Sequence, residues 1–256
     1  MDVARELSIQ LYSLRSFADL EGQLRGLAAL GFRRVETIGS HIEDARATRA
    51  LLDANGITAP TGHVGLAELR RQPDRVLVQA KTIGIEQLFM PAVPQAERYG
   101  QPAEFWRGIG LELARLAERF AGEGIGLGYH NHHWELAAYP DGSTPLGHLL
   151  DASRGSPLTI EADLAWLVRG GADPLAWLER IGDRLTAVHV KDIAAEGQNA
   201  DEDGWADIGE GVLDWPKLWR ASLDHGARWM VLEHDKPAEP LRFARESRAY
   251  LLATVA

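Results

Sequence analysis

The sequence predicts an α/β chain folded as a single-domain (β/α)8 barrel, the TIM-barrel architecture, over residues 1–256. Three observations predict it. Short apolar runs alternate with longer amphipathic ones eight times along the chain, the alternation this barrel requires. No Gly-rich phosphate fingerprint follows the first strand, where Leu11-Tyr12-Ser13-Leu14-Arg15 stands, which argues against an open dinucleotide-binding sheet. No linker or shift in composition marks an internal boundary.

Leu7 to Leu11 reads as the first strand, followed by a helix through Ala18, Leu20, Leu24 and Leu27 that stops at Gly31. Phe32 to Ile38 is the second strand, and the helix Ile42 to Ala54 closes on Asn55-Gly56, a C-terminal stop. Ile57 to Val64 is the third strand, its helix running from Pro73 to Thr82, and Ile85 to Met90 the fourth. Phe105, Ile109, Leu113, Leu116 and Phe120 recur at three- and four-residue intervals, lining one face of a helix. The fifth strand opens at Ile125-Gly126-Leu127 and runs into Gly128-Tyr129-His130-Asn131-His132-His133-Trp134-Glu135, where alternation would point His130 and His132 the same way. A short helix at Leu146 to Leu150 precedes the sixth strand, Leu158 to Asp163. Asp173-Pro174 starts a helix as N-cap and first-turn proline. Leu185 to Val190 is the seventh strand, and a helix from Asp214 puts Trp215, Leu218, Trp219 and Ser222 or Leu223 on one face. Trp229 to Leu232 is the eighth, and a helix from Pro237 to Val255 ends the chain.

Hydrophobic residues at 45% and charged residues at 25% suit a soluble globular domain. A net charge of −10 argues against nucleic acid or an anionic membrane as partner. The absence of cysteine excludes disulfides and thiolate metal sites. No basic n-region leads into an apolar stretch, and no apolar run reaches membrane-spanning length, so a cytoplasmic protein is expected.

In such a barrel, chemistry collects at the C-terminal ends of the strands. Those ends carry Glu36, His63, His130, His132 and Glu135, Asp163, His189 with Lys191 and Asp192, and Glu233. Taken singly, Asp163 reads as a cap of the following turn, His189 as a hydrogen-bonded core histidine, and Glu233 as an ion-pair partner of Lys191 or an arginine. One divalent ion explains Asp163, His189 and Glu233 jointly, and ligands without sulfur suit Mn, Mg, Co or Zn.

Six stretches carry a family resemblance: Gln10-Leu11-Tyr12-Ser13-Leu14-Arg15, Gly128-Tyr129-His130-Asn131-His132, Asp163 with Trp166 and Gly170, His189-Val190-Lys191-Asp192, Gly209 to Trp215, and Leu232-Glu233-His234-Asp235. In this order they resemble the sugar phosphate isomerase/epimerase group of the xylose isomerase-like TIM barrels, which includes inosose dehydratases and ketose 3-epimerases. The resemblance implies one divalent metal held by a strand-five residue with Asp163, His189 and Glu233. It implies that Gln10, Glu36, His63, Trp166 and Lys191 bind the sugar. At the strand-five position, where ketose 3-epimerases carry a glutamate, this chain has His130, and Glu135 is the nearby carboxylate able to serve as ligand or base.

A metal-bound imidazole is a poor proton acceptor, since the metal uses its lone pair. The expected chemistry is therefore metal-assisted proton abstraction next to the carbonyl of a keto-sugar or keto-cyclitol. Glu233 is the candidate base, with Glu135 or His132 as acid or second base. Isomerisation, epimerisation and elimination of a β-substituent are the three outcomes. The loop Gly197 to Gly211 carries Asp201, Glu202, Asp203, Asp207 and Glu210, which points to a neutral sugar rather than a phosphate. A homo-oligomer is compatible with this reading. Two rivals are a non-catalytic sugar-binding or partner subunit, for which Trp134 and Trp166 would stack on the sugar, and an apurinic-endonuclease-like nuclease, which the acidic charge disfavours.

Overall fold

The computed structural model describes residues 2–255. Eight parallel strands form one sheet: β1 (Ser8–Ile9), β2 (Arg34–Thr37), β3 (Thr58–His63), β4 (Gln87–Met90), β5 (Gly126–His130), β6 (Thr159–Asp163), β7 (Leu185–Val190) and, after a two-stranded hairpin β8 (Asp192–Ile193) and β9 (Trp205–Ala206), β10 (Trp229–Leu232). The order β1-β10-β7-β6-β5-β4-β3-β2 returns on itself through a Gln10–Glu36 bridge, giving a nearly closed barrel with helices outside.

Helices follow the expected amphipathic stripes, except that Phe105 and Leu116 of the longest one are half-buried and Trp106 and Ala117 take the buried face. In Ala103–Gly122 the residues Trp106, Ile109, Leu113, Ala117 and Phe120 are buried at three- and four-residue spacing, facing the sheet. Asp173 caps Pro174–Ile181 by accepting from the Leu175 N–H, as the sequence predicts, and Asp214 caps Trp215–Asp224 by accepting from the Lys217 N–H. Short helices at Leu66–Arg71 and Leu164–Arg169 and the β8–β9 hairpin are additions to the predicted elements. No helix of the described residues is long and apolar enough to cross a membrane.

Alternation stacks the barrel interior in layers. Phe89, Ala187, Trp229 and Val231 form a buried apolar plug. One step further along each strand come His189 on β7 and Glu233 just after β10, so the polar residues stand immediately above the plug. Gly128 makes room for it: a Cβ there would lie 2.6 Å from the Phe89 ring and 2.7 Å from Thr159 Oγ1.

The first strand is shorter than predicted because the chain turns into a 3-10 helix, Leu11–Leu14, once the Gln10 side chain accepts from the Tyr12 N–H. The fifth stops at His130, so His132 is not part of it. Asn131 leaves the ladder there, its amide donating to Asp163 O and accepting from Asp163 N.

Candidate active site

A cavity of about 340 Å³ opens at the C-terminal ends of the strands, with Tyr12, Ile38 and Pro91 on its apolar wall and His63, His130, His132, Glu233 and Asp235 on its polar one. Beneath it, two groups of side chains share His189.

The outer group is Asp163, His189 and Glu233, with ligand atoms within 4.8 Å of one another. His189 Nδ1 lies 2.8 Å from Glu233 Oε2 and 3.9 Å from Asp163 Oδ2. The single-residue readings of Asp163 and Glu233 hold as well: Asp163 Oδ1 accepts from the Trp166 N–H at 2.9 Å, and Glu233 pairs with Lys191. Capping occupies Oδ1, which leaves Oδ2 facing the cluster. Lys191 Nζ is 2.8 Å from Asp163 Oδ2, 2.6 Å from Glu233 Oε2 and 2.8 Å from Asp235 Oδ2. It is boxed in by the rings of Trp166 at 5.1 Å and Trp205 at 4.9 Å. Burial alone would lower the Lys191 pKa, but the Asp163, Asp235 and Glu233 carboxylates outweigh it and hold it well above its ordinary value. Burial pushes Asp163 up to about 6 against the pull of Lys191.

The inner group is His63, His130, Glu161 and His189, with Glu36 beside it. Glu161 Oε2 lies 2.7 Å from His63 Nε2, 3.0 Å from His130 Nδ1 and 3.3 Å from His189 Nε2. Burial opposes charge on His63, yet Glu36 and Glu161 raise its pKa to about 10. Burial and His189 lower His130 instead, keeping that ring neutral.

These placements divide the sequence-predicted residues. The expected four-ligand set splits, because His130 pairs in register with Glu161 whereas Asp163 pairs with His189, one step nearer the mouth. Of the expected sugar-binding residues, His63 lines the cavity. Gln10, Glu36, Trp166 and Lys191 stand behind its wall, each held by protein partners: Gln10 donates to Glu36 at 2.7 Å, Glu36 faces His189 at 2.8 Å, and Trp166 stacks on His133 at 4.8 Å. Glu135 is buried away from the cavity, where Oε1 accepts from the Tyr129 hydroxyl and Oε2 from the His132 N–H, both at 2.5 Å. His132 lines the cavity, stacked on Trp134 at 4.1 Å, and burial lowers its pKa, so the ring is neutral.

Glu161 escapes a reading based on strand ends. The signal for it is the period of two: with Asp163 facing inward, Glu161 on the same strand must do so too. The acidic loop is only half solvated. Asp207 is buried against Arg242 at 2.6 Å, and Glu202 accepts from the Ala238 N–H, while Asp201, Asp203 and Glu210 are exposed.

The donor chemistry suits a divalent cation. Nitrogen and oxygen atoms converge, and buried carboxylate oxygens at Glu36 Oε2 and Glu161 Oε1 lack a hydrogen-bond partner. A His/Glu cluster of this kind could bind a metal ion.

Among curated proteins, the chain is 26% identical over 168 residues to an inosose dehydratase of Lacticaseibacillus casei, covering 59% of this chain and 55% of that protein. The match thus spans about half the length of that relative. A sugar phosphate isomerase/epimerase structure from Parabacteroides distasonis superposes with a TM-score of 0.80 at 19% identity, over 98% of this chain and 94% of that one. The IOLI protein, solved with a bound zinc atom, superposes at 0.74 with 11% identity over 98% of both chains. The model of the xylose isomerase-like TIM barrel family matches residues 24–254, and the chain belongs to that family.

Proposed function

We propose that the chain is a divalent-metal-dependent enzyme that abstracts a proton next to the carbonyl of a neutral keto-sugar or keto-cyclitol, acting as an isomerase, epimerase or lyase. One observation carries this reading: Asp163, His189 and Glu233 converge at the strand ends, and Glu233 opens onto the same cavity as the neutral imidazole of His132. The similarity to an inosose dehydratase supports it.

Asp163 Oδ2, His189 Nδ1 and Glu233 Oε2 would hold the ion, which when bound supplies Lewis acidity toward a carbonyl oxygen. His132 is the preferred base. A neutral imidazole keeps one lone pair, and Glu135 fixes its backbone through the His132 N–H. Glu135 is thereby a positioning residue. Glu233, on the same polar wall, is the candidate for the second proton transfer. Tyr12, Ile38 and Pro91 give the cavity an apolar surface on which the sugar could rest. With Glu233 and Asp235 on the wall, an anionic substrate would meet like charge.

The test is solvent-deuterium exchange into a panel of keto-glycosides, inososes and ketoses. Wild-type protein with metal exchanges the proton next to the carbonyl. Chelated protein and Asp163→Ala, still folded by circular dichroism, lose it by about 10³-fold or more. Undiminished exchange after chelation would overturn the reading.

A further inference from the structure

Four side chains from four strands surround one point inside the barrel, His63 of β3, His130 of β5, Glu161 of β6 and His189 of β7, and Glu36 of β2 lies against His63 and His189. Their facing atoms are separated by 3.1 Å (Glu36 Oε1–His63 Nε2), 2.8 Å (Glu36 Oε1–His189 Nε2), 2.7 Å (Glu161 Oε2–His63 Nε2), 3.3 Å (Glu161 Oε2–His189 Nε2) and 3.0 Å (Glu161 Oε2–His130 Nδ1).

Hydrogen bonds alone fit this arrangement poorly. A ring nitrogen carries one hydrogen at most and aims it at one acceptor. Yet His63 Nε2 and His189 Nε2 each stand between the same two carboxylate oxygens. The second oxygen of each carboxylate, Glu36 Oε2 and Glu161 Oε1, is buried with no partner. An ion accounts for the crowding. Ligands about 2.1 Å from a metal lie about 3.0 Å apart at right angles and about 3.4 Å apart in a tetrahedron, and the Glu161 separations run from 2.7 to 3.3 Å, so they open slightly around a bound ion. His63 and His130 also line the cavity, which gives an ion a way in.

We propose that this inner cluster is a metal site in its own right, taking a divalent transition ion of the zinc or cobalt class on three imidazoles and the Glu161 carboxylate, with Glu36 beside His63 and His189. It differs from the outer group in its ligands and uses the opposite nitrogen of the shared His189. A neutral imidazole offers one lone pair, so both sites fill together only when His189 gives up its last ring proton. With the inner site alone filled, Lys191 serves as the cation of the outer group.

The test uses the chelator-stripped full chain titrated with Co²⁺, read by visible absorption and by elemental analysis after gel filtration. Asp163→Asn/Glu233→Gln removes outer ligands. It retains one equivalent of Co²⁺ with nitrogen-rich bands, its affinity reduced by no more than about 100-fold, since only partners of a ligand have changed. His63→Gln/Glu161→Gln loses those bands and weakens binding beyond that range. Circular dichroism checks both folds, and Asp163→Asn alone replaces the double variant if that one unfolds. The inner site is overturned if the folded outer variant binds no Co²⁺, if the inner variant binds as the wild type does, or if the wild type binds none. The proposed function fails separately, on exchange that survives chelation.

Discussion

The two groups that meet at His189 solve the same electrostatic problem differently. The outer one gathers Asp163, Glu233 and Asp235 around a permanent ammonium, Lys191, which the chain itself places among them. The inner one sets Glu36 and Glu161 among imidazoles, whose charge depends on proton or metal. Buried carboxylates need compensation in either case. The difference teaches that strand-end acids need not all mean one metal: a lysine two residues beyond a strand-end histidine can hold part of the set together unaided.

The largest expected effect breaks the outer side of that comparison. Lys191→Met keeps the side-chain length and removes the charge, leaving three carboxylates with His189 as their cationic neighbour. Loss of one partner from a buried ion pair costs about 3–5 kcal/mol. Urea denaturation should show that loss, and saturating Mn²⁺ should return part of it by binding the native state. Unchanged stability, or a loss that Mn²⁺ leaves untouched, would mean that Lys191 is not the compensating charge.

Much of this architecture was legible from residue order, and the exceptions have physical causes. Leu185–Val190 and Trp229–Leu232 were readable to the residue, because buried parallel strands are continuous apolar runs. Asp163, His189 and Glu233 were readable as a group because barrel topology puts strand ends together. Glu161 was not, since a mid-strand acid becomes meaningful only when facing direction is counted. The placement of His132 and Glu135 depended on where β5 ends, which the long-range bonds between the Asn131 side chain and the Asp163 backbone decide. The retreat of Trp166 and Lys191 behind the cavity wall depended on Trp205, contributed by a hairpin that the sequence shows only as a polar loop.

Glu135 separates the mouth from the inner group by its pH behaviour. Burial, only partly offset by the Tyr129 hydroxyl and the His132 N–H, raises its pKa from 4.5 to about 8. A carboxyl raised on folding contributes stability that is fully present below about 4.5 and lost as pH rises toward 8, roughly a few kcal/mol across that window. Glu135→Gln should flatten this window in thermal melts recorded from pH 5 to pH 8. An unaltered slope would place the titration elsewhere.

The smallest effect sharpens the comparison most. Asn131 exchanges two hydrogen bonds with the backbone of Asp163 and faces neither ligand group directly. Asn131→Ala should cost roughly 1–3 kcal/mol, the price of leaving a buried backbone N–H unsatisfied. Because it loosens the end of β6 at Asp163 while Glu161 remains paired in the ladder, it should lower kcat of the exchange reaction and spare the Co²⁺ bands of the inner site. Equal losses in both would show that the two groups move as one body, so the order of loss in this variant decides whether they are separable sites.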